Sequence, residues 1–143
     1  MRLIILLLLV CSNLVFVDIP EHLKEATLIQ ALLKEHTQTE LQTKLELAEK
    51  IAVTADSQSP DAIVFVLDGA EVQLFLRQQY RQQKELVDLA SRLVAYGYVE
   101  LKIGQDYIDS YALSRDDLPS FLKVTKNAAE EKVRLRRAGY ISY

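Results

Sequence analysis

The chain has 143 residues, half of them hydrophobic and 26% charged, with 17 basic against 20 acidic side chains. That length suffices for one domain whose core needs neither disulfide nor metal. The formal charge of -3 comes without any dense basic stripe to track a phosphate backbone, which excludes nucleic acid as the expected partner.

The first segment, MRLIILLLLVCSNLVFV, carries one positive residue, Arg2, and then an unbroken apolar run from Leu3 to Val10. Such a run has the length of a signal-peptide core and is short for a bilayer span. Val10 and Ser12 occupy the third and first positions before a cut ahead of Asn13. Extended to Val17, the same stretch makes an uncleaved anchor of about 15 residues. Residues 1–17 are therefore expected to be a signal peptide or amino-terminal anchor, with a buried strand as the alternative. The protein is expected to be periplasmic or otherwise exported, touching a membrane only through an uncleaved leader. Cys11 is the only cysteine, so cleavage leaves no thiol for a disulfide, a metal or a nucleophile.

Residues 18–25 read as a linker, and the domain is expected over 26–143. Ala26 to Leu33 (ATLIQALL) fits a first strand by length, although its Ala and Leu content also suits a helix. Thr37 to Glu40 has the form of a capping box, and Leu41, Leu45, Ala48, Ala52 and Ala55 recur at helical spacing behind it. Ser57 to Asp61, with Pro60, ends that helix. Ala62 to Leu67 is wholly apolar and rich in β-branched and aromatic residues, which predicts a central strand covered on both faces and ending at Asp68-Gly69.

A helical region follows over 71–79. The spacing of Leu86, Leu89, Ala90, Leu93 and Val94 then predicts an amphipathic helix over 85–96, closed by Gly97 in the left-handed conformation. Tyr98 to Ile103 alternates apolar and polar residues, as a more exposed strand nearer an edge does. Ser114 caps a short helical turn, Phe121 to Thr125 forms a fourth strand, and Asn127 opens a last helix reaching Arg137. Strand and helix alternating throughout predict an α/β domain: three layers, α/β/α, around a mostly parallel central sheet of four to five strands, with flavodoxin-like layering.

These pieces resemble the DsrE/DsrF-like family of small α/β proteins associated with sulfur trafficking. The resemblance rests on Asp68-Gly69-Ala70-Glu71-Val72 after the anchor strand, on Gly97, on Ile103-Gly104-Gln105, and on the tail from Leu135 to Ile141. It implies a DsrE-like fold and a homo-oligomer, a trimer or hexamer. The sequence departs from the family where it matters chemically. Sulfur-carrying members have a cysteine where this chain has Ile103, and persulfide chemistry needs a thiolate.

Ligands of open α/β sheets bind beyond the carboxyl ends of the strands. The candidate ligand-binding residues are therefore Asp68, Gly69, Gly104, Gln105, Asp106 and Tyr107, on two loops expected to converge. No catalytic residue, metal site or cofactor is assigned. His22 and His36, 14 positions apart, read as surface residues. The expected function is non-catalytic binding of a small molecule or protein partner. The alternatives are a sulfur-relay accessory working through a partner's thiol, or a hydrolase or isomerase pairing Asp68 with Asp106, Asp109 or Tyr107. The clustered cations Lys132, Arg134, Arg136 and Arg137 read as complements to the negative end of the last helix.

Overall fold

The computed structural model describes residues 21–54 and 62–140, so the segment read as a leader lies outside the described residues. Helix α1 spans Glu21–Thr54. The strand expected over Ala26–Leu33 is part of this helix, a correction with a simple cause. Its Ala, Leu and Gln residues are strong helix formers, and no Gly or Pro separates them from the helical pattern that follows. The Thr37–Glu40 capping pattern consequently lies inside α1 and starts nothing. Over residues 37–54 of α1, Leu41, Leu45 and Ala48 are buried and face the rest of the domain.

Strands β1 (Ile63–Leu67), β2 (Val99–Gly104) and β3 (Lys123–Thr125) form a parallel sheet in the order β1-β2-β3. The chain is thus α/β, with three strands among the described residues. Among the described strands β2 is the middle one and β1 an outer one. Ile63 to Val66 are only partly buried, whereas Val99, Leu101 and Ile103 are fully enclosed. The alternation in β2 suggested a solvent face because Glu100 and Lys102 are charged. Lys102 is instead covered by the last helix, α4 (Ala128–Arg137), and paired there with Glu131, the two side chains 11% and 10% exposed, while Glu100 pairs within the sheet with Lys123 and Lys102. The third strand is shorter than the five residues expected.

The hydrophobic core lies on the other face of the sheet. Helix α2 (Lys84–Ala95) contributes Leu86, Val87, Ala90 and Leu93, which meet Leu45 of α1 and the inward residues of β2. Two 3-10 helices, Ala70–Phe75 and Arg77–Gln79, replace the helical region expected over 71–79. The tighter winding lets Val72, Leu74, Phe75 and Leu76 all be buried within five residues. Phe75 meets Phe121 edge to face at 6.1 Å. Gln83, before α2, is 5% exposed and its Oε1 has no hydrogen-bond partner.

Helix ends follow local chemistry closely. Ser114 makes the expected cap, in the form of a capping box with Asp117, and the Asn127 side chain accepts from the Glu130 N–H at 3.0 Å. Three helices close in Schellman motifs: Tyr98 N–H donates to Leu93 O, Leu113 N–H to Ile108 O, and Tyr140 N–H to Leu135 O. The left-handed residue is Gly97 after α2 (φ 73°) and Gly139 after α4 (φ 91°). After the short helix α3 (Gln105–Ser110) it is Ala112, at φ 48°, whose Cβ opposes that conformation. Ala112→Gly is expected to raise stability by roughly 0.5 to 1 kcal/mol, the relief of strain exceeding the added unfolded-state entropy. Denaturant midpoints check this, and a lowered midpoint would contradict it.

Candidate functional site

Leu67 stands opposite Ile103, so the chain leaves β1 at Asp68-Gly69 and β2 at Gly104-Gln105 from neighbouring strand ends. The two loops therefore do share one edge. At the first, Glu71 folds back so that its Oε1 accepts from the backbone N–H of Asp68 at 2.9 Å and of Gly69 at 3.0 Å. A Cβ on Gly69 would lie 2.7 Å from Glu71 Oε2, so the bare backbone lets the carboxylate in. The Asp68 carboxylate accepts from Lys132 Nζ of α4 at 2.6 Å. Both side chains are nearly half exposed, which places the pair in the range of about 0 to 1 kcal/mol.

At the second loop, Asp106 accepts from Asn127 Nδ2 at 3.0 Å and from the Ala128 N–H at 3.3 Å. This carboxylate thereby answers a free donor in the first turn of α4. Gly104 is buried beneath the contact, and a Cβ there would lie 2.0 Å from Asp106 Oδ1 and 2.8 Å from the Ala128 nitrogen. Gln105 Nε2 donates to Asp109 Oδ1 within α3 at 2.8 Å. Tyr107 is 8% exposed and stacks on Tyr111 with ring centroids 4.4 Å apart. Burial, then the neighbouring Tyr111, raises the Tyr107 phenol above its ordinary pKa despite the opposing hydrogen bond with Gln73. Ile103 is fully buried in the hydrophobic core, so the position aligned with the family's cysteine points away from solvent.

A charged network backs this edge. Lys123 Nζ reaches Glu100 Oε1 at 2.5 Å, Lys102 lies 3.6 Å from Glu100 and 2.6 Å from Glu131, and Arg134 donates to both oxygens of Glu131. Hydrogen bonds from Arg134 and then Lys102 hold the Glu131 carboxyl down to about 2. Burial pushes Glu100 up, but Lys123 and Lys102 outweigh it and leave it below the usual range.

The predicted residues therefore meet at one edge, yet much of their polar capacity is engaged within the chain. Asp68, Asp106 and Asp109 each have a different partner, an arrangement of separate hydrogen bonds and not of a shared proton. Sequence reasoning missed Lys132 as a member of the edge, having read it as a complement to the helix dipole. Glu71 was noticed only as part of a motif. Lys132 carries a signal only once α4 is known to cross the end of β1. An open groove of about 450 Å³ lies elsewhere, along α4, with Ala129, Glu130, Val133, Arg134 and Arg137 as its described walls.

Among the described residues no cluster of three or more His, Cys, Asp or Glu could hold a metal ion, and no helix is long and apolar enough to cross a membrane. Compared with known proteins, the chain matches no family model and no curated protein.

Acid provides a test of the network. A carboxylate whose folded pKa is depressed stabilises the fold above its unfolded pKa and loses that contribution as pH falls through the folded value. For Glu131 the window runs from 4.5 down to about 2. The stability advantage of the native protein over Glu131→Gln is expected to be on the order of 2 to 3 kcal/mol at pH 6 and to shrink across that window. Denaturation series at several pH values measure it; an advantage independent of pH would contradict the assignment.

Proposed function

We propose that this chain is an exported, homo-oligomeric protein of DsrE-like type that binds a small ligand or a protein partner at the carboxyl edge of its sheet. In this reading it carries out no sulfur transfer of its own, and its finer architecture is the three-layer, flavodoxin-like arrangement of that family, with further strands beside β1–β3. The observation that carries the reading is the conjunction at the end of β2. Asp68-Gly69 and Gly104 to Asp106 come together at the edge where open α/β sheets bind ligands. Beside them Ile103 puts a core side chain where a sulfur carrier needs a thiolate.

The separate partners of Asp68, Asp106 and Asp109 favour binding over acid–base chemistry, because proton transfer between carboxyl groups needs them within reach of one another or of a shared water. The apolar run from Leu3 to Val10 supports export.

A photo-activated cross-linker at Gln105, exposed on the edge, tests this in cells, with Ser91, exposed on α2, as control. The expected result is a discrete cross-linked product from Gln105 alone, recovered from the exported fraction. Equal labelling from both positions, or recovery of the protein only in the cytoplasm, would contradict the proposal.

A further inference from the structure

We propose that α4 is a movable cover: it lifts from the sheet as one unit and thereby frees Asp68 and Asp106 together, so that the carboxyl edge has a closed and an open state. The inference rests on the binding reading above, whose edge the helix would regulate.

One helix holds both carboxylates. Lys132 Nζ donates to Asp68 at 2.6 Å, while Asn127 Nδ2 and the Ala128 N–H donate to Asp106 at 3.0 and 3.3 Å. These acids stand on the two loops that leave neighbouring strand ends. With α4 in place, donors of the chain itself occupy the groups that a ligand or partner would use.

The apolar attachment of α4 is slight. Of its ten residues only Ala128 and Leu135 are buried, whereas α2 buries Leu86, Val87, Ala90 and Leu93. Ala129, Val133, Arg134, Arg136 and Arg137 are exposed. Leu135 is therefore the main hydrophobic hold, and lifting α4 returns far less apolar surface to water than lifting α2 does. The Asp68–Lys132 pair, with both side chains nearly half exposed, adds little.

The stronger contact, between Lys102 and Glu131, is built so that it can part. Separating a buried ion pair is costly when it leaves a charge alone. Here each charge keeps a partner on its own side: Lys102 retains Glu100 of the same strand at 3.6 Å, and Glu131 retains Arg134 of the same helix at 2.6 Å. The ends of α4 are also closed within the helix. Asn127 accepts from the Glu130 N–H, and the Tyr140 N–H donates to Leu135 O past left-handed Gly139. Lifting α4 thus leaves neither charge of the buried pair alone and breaks neither cap. Asp68 and Asp106, both exposed, pass from their α4 donors to water. Sub-global openings of this kind come from elements with few buried apolar contacts.

Native-state hydrogen exchange of the full chain and of Leu135→Ala tests the cover, and the cross-linker at Gln105 reads its effect on the edge. In the native chain the hydrogen-bonded amides from Glu131 to Tyr140 are expected to exchange through one shared opening, at least about a hundredfold more often than those of α2. Leu135→Ala is expected to favour that opening by about tenfold more, with α2 unchanged, and to raise the yield of the Gln105 product at least about threefold. Equal protection of α4 and α2 in the native chain would overturn the cover and leave the binding reading standing. Faster opening with an unchanged Gln105 yield would overturn its control of the edge. No Gln105 product from either chain, with α4 opening as expected, would remove the binding reading and leave the cover. Should Leu135→Ala not fold, exchange in the native chain decides.

Discussion

The contact on which the carboxyl edge depends is the hold of Asp106 on the start of α4. One carboxylate, two residues beyond the central strand, accepts from the Asn127 amide and the Ala128 N–H. It thus ties the end of β2, the start of α3 and the turn after β3 to one point. Gly104 makes the approach feasible, since a side chain there would occupy the place of the carboxylate. With its first turn fixed, α4 runs across the outer face of the sheet. It brings Lys132 to Asp68 and Glu131 to Lys102, and so gives the largely buried Lys102 a close carboxylate where Glu100 alone lies 3.6 Å away.

This arrangement explains how the sequence misled about the sheet while informing well about its connections. The helix caps and stops were legible because each is a local event. Asn127, Ser114, Gly97 and Gly139 act within a few residues of their own position, and all four stand where their chemistry predicts. The rank of the strands was not legible, because it is set by what lies over them. Alternation in β2 is the mark of a solvent face only when the charged residues meet water. Here Lys102 meets Glu131, 29 residues further on, and Glu100 meets Lys123 of β3. Continuous apolarity in β1 is the mark of a central strand only if something covers the second edge.

The first helix shows a different limit. Its Ala26–Leu33 stretch has strand length and helix composition, and composition prevailed because nothing in the sequence breaks the helix before Thr54. The candidate edge itself was half legible. The convergence of Asp68-Gly69 with Gly104 to Asp106 follows from strand ends in a parallel sheet, but their partners come from α4, remote in sequence. Function depends on that distinction. An edge whose carboxylates already hold backbone amides, an asparagine and a lysine is built first as a structural junction, and a ligand or partner would meet what that junction leaves exposed.

Hydrogen exchange in the first turn of α4, compared between the native chain and Asp106→Ala, tests the central role of this junction most directly. Loss of the two accepted hydrogen bonds is expected to speed exchange of the amides from Ala128 to Glu131 by about tenfold, the equivalent of roughly 1.4 kcal/mol, while α2 keeps its protection. Unchanged exchange across Ala128 to Glu131 would contradict the account, since α4 would then be held in place by something other than Asp106.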